Sequence, residues 1–178
     1  MRLPLALLLV ALACGCSDRP KAPPLTDEAV FQDDRVGLRF LVPAGWAVQS
    51  RAAVPDGPLS RTIVVASYRG PTGQRPPTLE VLAADVPADA DLERWLAERG
   101  TGGETWVPRP PVKTVTINGA EATRFGQARA KGAEEYRRDV TAFRRGPRVY
   151  FFVLRHSAAD PDVPEVIRST IESITWTR

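Results

Sequence analysis

This chain of 178 residues contains few side chains that could perform thiol or imidazole chemistry. The two cysteines, Cys14 and Cys16, both stand near the N-terminus, and His156 is the single histidine. Mechanisms that need a histidine pair are therefore excluded, and thiol catalysis is excluded from the rest of the chain. Disulfide pairing of a Cys-x-Cys unit would close a strained ring, so we do not expect it.

Long apolar runs, a large charge excess and nucleotide-binding motifs are missing as well. The apolar run 3–13 is shorter than the ~20 residues that a spanning helix needs. A balance of 24 Lys+Arg against 21 Asp+Glu gives a net charge of +3, too small to predict a nucleic-acid partner. No Gly-x-Ser-x-Gly, P-loop or Gly-x-Gly-x-x-Gly motif occurs, and we expect no cofactor. With 43% hydrophobic residues, the composition is that of an ordinary globular domain.

The N-terminus has the pattern of an export signal. A positive Met1-Arg2 start precedes the apolar run, and the run ends in the small residues Ala13-Cys14-Gly15 before Cys16. This sequence resembles the lipobox of bacterial lipoproteins, in which the cysteine becomes the first mature residue and carries a diacylglycerol and usually an amide-linked acyl chain. We predict lipidation at Cys16, with Cys14 as the alternative, because Ala13 stands where the pattern usually has leucine.

These features divide the chain into three parts. Residues 1–15 are predicted to be a lipoprotein signal peptide, and residues 16–28 an acylated cysteine followed by a proline-rich tether. Residues 29–178 are predicted to form a single domain. Anchored by its acyl chains, the protein would remain at the bacterial cell envelope, facing the periplasm or the extracytoplasmic side.

Short runs of β-branched and aromatic residues that end at Gly, Pro or Asn predict a chain made mostly of strands. Asn118-Gly119 is the strongest hairpin signal. The run 149–154 is apolar on both faces, which predicts a central strand covered above and below. The predicted strands are 36–42, 46–50, 61–68, 78–86, 113–117, 120–128, 134–143 and 149–155.

Two segments have helical periodicity instead. The first runs from Asp89 to Arg99, with Asp91 as its N-cap. The second begins after Asp162 and is predicted to be one amphipathic helix. Its expected buried stripe consists of Val163, Val166, Ile167, Thr170, Ile171 and Ile174.

The fold class that follows is α+β, a mainly antiparallel sheet covered by helices. The opening stretch Val36-Gly-Leu-Arg-Phe-Leu-Val-Pro-Ala-Gly-Trp46 resembles the first hairpin of the PsbP-like family, and the later order of helix, Asn-Gly hairpin, aromatic strand and final helix is similar too. The resemblance covers about residues 29–177 and implies an α-β-α sandwich. The PsbP-like family includes envelope lipoproteins of the DcrB-like group. Members are mostly binding and accessory proteins that share no catalytic residues, so the resemblance implies no enzyme activity.

The candidates for metal chemistry are weak. His156 follows a predicted buried strand, and we interpret it as a strand-end or surface residue. Asp160, Asp162 and Glu165 lie close by in sequence, but carboxylates before a helix usually cap its free N–H groups. We therefore predict no metal site.

Trp46 and Trp95 fit core positions by pattern.

Two exposed regions are candidate binding sites. The segment from Arg124 to Arg155 contains nine basic and three acidic residues, a local net charge of +6. This excess predicts a basic face for lipid headgroups, an anionic polymer or an acidic protein, although scattered arginines on solvated strands would also explain it. Within it, Arg144, Arg145 and Arg148 share one turn and are the first residues to mutate.

The second region is the loop 100–111, which contains Trp106 and Arg109. Both residue types dominate binding hot spots. Alternatively, Trp106 folds back over a sheet edge.

The leading hypothesis is a non-enzymatic, membrane-anchored envelope lipoprotein that binds a protein or an anionic surface, with the bilayer itself as a partner through the acyl chains. One alternative is a carrier of a small apolar ligand or lipid. A second alternative is a carboxylate-based hydrolase, which would need two acids converging in one cleft.

Overall fold

The computed structural model describes residues 29–71, 75–99 and 105–177. Cys14, Cys16 and the predicted signal and tether lie outside these residues. The largest element is a seven-stranded antiparallel sheet with the order β3-β4-β5-β9-β8-β7-β6. Its strands are β3 (Ala47–Arg51), β4 (Ile63–Arg69), β5 (Thr78–Asp85), β6 (Val107–Ile117), β7 (Ala120–Lys131), β8 (Glu134–Arg145) and β9 (Arg148–Ser157).

A smaller sheet and three helices cover the two faces of this sheet. The smaller sheet has the order β1-β2-β10, and helix α1 packs on the opposite side from it. The fold is therefore a mainly antiparallel sheet covered by helices, as predicted. The elements are β1 (Val30–Asp33), β2 (Leu38–Leu41), β10 (Thr175–Trp176), α1 (Leu92–Arg99), α2 (Val163–Val166) and α3 (Arg168–Glu172).

Strand β9 holds the two layers together, as its unbroken apolar run predicts. It lies between β5 and β8, and its side chains alternate between two cores. Phe152 faces the smaller sheet, where its ring meets Phe40 edge-on at 5.3 Å. Phe151 faces α1 and stacks on Trp95 with 5.6 Å between the ring centroids. Trp95 and Trp46 are both core residues, which confirms that prediction.

The hairpin between β6 and β7 is formed as predicted. Asn118 and Gly119 both have positive φ, 47° and 79°, which is the geometry of a type I′ turn. The Asn118 side chain also donates from Nδ2 to the carbonyl oxygens of Glu172 and Ile174, at 2.6 and 2.9 Å. The turn is thereby fixed to the C-terminal segment. Helix α1 has its predicted N-cap, since Asp91 Oδ1 accepts the Arg94 N–H at 3.1 Å.

The C-terminal segment differs from the single helix that the pattern predicts. Helices α2 and α3 are separated at Ile167, where the backbone has φ −94° and ψ 4°. Because the helix is interrupted there, the predicted stripe is broken as well. Val166 is 56% exposed, whereas Ile167, Thr170, Ile171 and Ile174 are buried.

The N-terminal strands also pair differently. Strand β2 is shorter than the predicted 36–42, and its neighbours are β1 and β10 rather than β3. The turn after Pro43 thus carries the chain from one sheet to the other. Strand β1 was not predicted. At one edge of the seven-stranded sheet, β6 begins at Val107, so residues 107–111 of the predicted loop 100–111 are strand.

Candidate functional site

A groove of about 440 Å³ lies between the strands β6, β7 and β8 and the helices α2 and α3. Its strand wall is built from two rows of residues in register. One row is Arg109, Gly126 and Asp139, and the other is Lys113, Arg124 and Thr141. Because residues in register on antiparallel strands share a face, all six positions lie on the side that α2 and α3 cover.

The strand wall of the groove is basic. Arg109, Lys113 and Arg124 form no ion pair within the described ranges of the chain. Lys113 stands directly opposite Arg124, and like charges in that arrangement destabilise a sheet. An anion bound between them would relieve this repulsion. Across the groove, Arg168 is paired with Glu165 at 2.5 Å.

Gly126 leaves a space in the strand wall. A Cβ atom there would lie 3.7 Å from Asp139 Oδ1 and 3.8 Å from Arg109 Cβ, which is ordinary van der Waals contact. A small side chain would therefore fit. Because Gly126 has no side chain, the space between Arg109 and Asp139 stays open toward the groove.

Asp139 is paired with the only histidine. His156 Nε2 lies 3.0 Å from Asp139 Oδ2, and its Nδ1 lies 2.9 Å from the Ser157 carbonyl oxygen. Both ring nitrogens therefore lie against oxygen atoms. His156 is the second-last residue of β9, which agrees with the strand-end interpretation, but its side chain is 2% exposed, so it is not a surface residue.

No cluster of three or more metal-ligating side chains occurs in residues 29–71, 75–99 and 105–177.

The arginines predicted to form a basic turn are engaged inside the chain. Arg144 donates to the carbonyl oxygens of Val86 and Pro87 at 2.8 and 3.1 Å. The exposed Arg145 lies over the Trp176 ring, 5.3 Å from its centroid. Neither residue lines the groove.

Arg148 is held by an ion pair and a loop. Its Nε lies 2.9 Å from Asp85 Oδ1, and its terminal nitrogens donate to the carbonyl oxygens of Pro55 and Gly57 at 3.4 and 2.5 Å. Asp85 Oδ2 also accepts the Leu59 N–H at 2.7 Å. The hydrogen bond from Arg148 holds the pKa of the Asp85 carboxyl below its usual range.

Of the two alternatives for Trp106, the structure shows the buried one. Trp106 is 5% exposed, so it is not an exposed hot spot. The guanidinium groups of Arg138 and Arg129 lie 4.5 and 5.3 Å from its ring centroid. Arg138 is itself buried and donates to Gln127 and to the Leu96 carbonyl oxygen. Among the binding candidates from sequence, only Arg109 lines the groove.

A larger cleft of about 760 Å³ lies near Trp46 and is bordered by prolines and carboxylates. Two of its carboxylates are already paired, Glu134 with Arg75 and Glu135 with Arg137. The basic groove differs because its three strand-wall cations form no ion pair with any residue that the structure describes. We therefore take the groove as the candidate site.

No helix in the described ranges is long and apolar enough to cross a membrane. No family profile and no curated protein sequence matches the chain.

The solution structure of CyanoP, the cyanobacterial PsbP of Synechocystis sp. PCC 6803, matches this fold with a TM-score of 0.59. The fold is PsbP-like. The match covers 88% of this chain and 97% of CyanoP, at 14% identity. The Pseudomonas aeruginosa protein PA94, of unknown function, matches with a TM-score of 0.51 at 13% identity, over 85% of this chain and 98% of PA94. LpqN, involved in cell envelope biogenesis of Mycobacterium tuberculosis, has a TM-score of 0.48 at 12% identity, over 87% and 88%.

Proposed function

We propose that this chain is a non-catalytic accessory protein of the bacterial cell envelope, anchored to the membrane by acyl chains, that binds an acidic partner protein in the basic groove. The observation that carries the proposal is the grouping of Arg109, Lys113 and Arg124 along one wall without an ion pair in the described ranges. Unpaired cations in a concave site attract an acidic partner and orient it.

The anchor is supported by the lipobox resemblance around Cys16. Acyl chains contribute about 0.8 kcal/mol for each buried methylene, so two or three chains hold a protein stably at a bilayer. The absence of catalysis is supported by the PsbP-like fold, because the family it resembles is made mostly of binding and accessory proteins. An anchored protein with a free binding face is suited to recruiting a partner to the membrane.

Charge reversal in the groove tests the binding role. The double variant Lys113→Glu/Arg124→Glu removes two cations and adds two anions, whereas Arg39→Glu reverses an exposed charge on β2, outside the groove. Proteins cross-linked to the wild type in solubilised envelopes should be acidic, should be recovered with Arg39→Glu, and should be lost with the groove variant. Each should then bind the purified protein with an affinity that falls as salt rises. Equal recovery by the groove variant would contradict the proposal.

Replacement of the predicted lipidation residue tests the anchor. Cys16→Ser should abolish labelling of the protein by a radioactive fatty acid and leave it unprocessed or released from the membrane fraction. Continued labelling in that variant, lost only with Cys14→Ser, would move the anchor to Cys14. An unlabelled wild-type protein would overturn the anchored form of the proposal.

A further inference from the structure

We infer that the ligand of the groove is a short peptide segment in which an acidic residue stands beside an aliphatic one, with its carboxylate over Gly126. This inference rests on the proposed function and narrows it to a ligand class. The groove volume of about 440 Å³ is within the ~300–1,000 Å³ typical of small-ligand pockets. It therefore suits a few residues of an extended chain rather than the flat surface of a folded domain.

The place for the carboxylate is the open space over Gly126. Arg109 borders it in the same row of the sheet, and Arg124 precedes it by two residues on the same face of β7. Arginine binds carboxylates through paired N–H groups, which fixes both position and orientation. Glycine inside a strand often marks a point where a ligand approaches the backbone closely.

Asp139 selects the kind of anion. Its Oδ2 is engaged by His156, while Oδ1 is the atom nearest to the position that a Cβ of Gly126 would occupy. A carboxylate at that place repels a phosphate dianion more strongly than a singly charged carboxylate. It also accepts a hydrogen bond, and the amide N–H groups that flank an acidic residue in a peptide supply the donor. These two effects favour a peptide over inorganic phosphate or a lipid headgroup.

The opposite side of the groove supplies apolar contacts. Ile167 and Ile171 line it from the helical segment, whereas Phe152 and Leu154, in register with Thr141 and Asp139, extend the strand wall on β9. Cations on the strand wall and apolar side chains on both walls match a ligand that carries both acidic and aliphatic side chains.

The test compares a blocked peptide, acetyl-Leu-Glu-Leu-Glu-amide, with inorganic phosphate and with glycerol phosphate, the water-soluble headgroup of a lipid, by calorimetric titration of the full-length protein in detergent. We expect the peptide to bind about tenfold more tightly than phosphate, the difference made by a hydrogen bond to a charged group. In Asp139→Asn, the ratio of the affinity for the peptide to the affinity for phosphate should fall by about tenfold. The variant no longer repels phosphate, and it no longer offers a charged acceptor to the peptide N–H groups. Gly126→Ala, whose Cβ makes only ordinary contacts, should melt like the wild type and bind the peptide more weakly.

The outcomes separate this inference from the proposed function. Phosphate or glycerol phosphate binding as tightly as the peptide would overturn the peptide assignment, as would an unchanged ratio of peptide affinity to phosphate affinity in Asp139→Asn. If Lys113→Glu/Arg124→Glu abolishes binding in that case, the groove is still an anion site and only the ligand class is wrong. If that double variant binds every probe like the wild type, the groove itself is wrong and the proposed function fails with it.

Discussion

Arg148→Ala should destabilise the domain without changing binding in the groove. The side chains of Arg148 and Asp85 are 16% and 21% exposed, so their ion pair is shielded from much of the solvent. Removing Arg148 also removes two hydrogen bonds to the loop at Pro55 and Gly57. Hydrogen bonds that involve a charged group contribute about 1.5–3 kcal/mol each.

The full sum is not expected, because Asp85 keeps its hydrogen bond from the Leu59 N–H and some contact with water. We expect a loss of about 2 kcal/mol in the free energy of unfolding. For a chain of this size, that loss lowers Tm by about 4–8 °C. Urea unfolding followed by tryptophan fluorescence would measure it, with Arg39→Ala, at the exposed position of β2, as the matched control.

The effect depends on pH in a defined direction. Arg148 lowers the pKa of Asp85 below its ordinary value of 3.8, so the pair stabilises the fold above that pH. As pH falls through the lowered pKa, Asp85 becomes neutral and the stability difference between wild type and Arg148→Ala should shrink. A variant within 0.5 kcal/mol of the wild type at pH 7, or a difference that grows in acid, would refute this reasoning.

Two further predictions concern the core and the turn. Asn118→Gly keeps a residue that tolerates positive φ but loses two hydrogen bonds to the C-terminal segment. Urea unfolding should therefore show a loss of about 2 kcal/mol in the free energy of unfolding. A variant as stable as the wild type would contradict the role of these bonds. Burial raises the pKa of Tyr68 above 10.0, so the stability it provides is present below that pH and is lost as pH rises through the folded pKa. As pH rises above 10.0, Tyr68→Phe should lose less free energy of unfolding than the wild type in the same assay, and equal losses in the two proteins would contradict this cause.

Much of the fold could be predicted because local signals and tertiary packing agree. The run 149–154 is apolar at every position, a pattern typical of a strand buried on both faces. The Asn118-Gly119 turn follows from backbone geometry alone. By contrast, β1 has only four residues, too few to show a clear alternation of apolar and polar residues, although it forms a local hairpin with β2. Residues Pro108, Pro110 and Pro111 indicated a loop, but β6 is an edge strand, where proline is tolerated.

The groove could not be predicted because it depends on which face each arginine occupies. Counting charges from Arg124 to Arg155 treats the segment as one surface, but alternate residues of a strand point to opposite faces. Arg138 enters the core beside α1, while Arg124 faces the groove. Arg109 and Arg168 join the site from distant parts of the chain. The one signal within the sequence was Gly126, a glycine in the middle of a predicted strand.

The small sheet has a mechanical consequence. Strand β1 follows the first described residue and is held to β2 by four registered pairs. Any load that reaches the domain through residue 29 is applied to β1 before any other strand. The groove is made by β6, β7, β8, α2 and α3 and does not include β1. If the chain is anchored as proposed, tension from the membrane would first peel one short strand that contributes no residue to the groove.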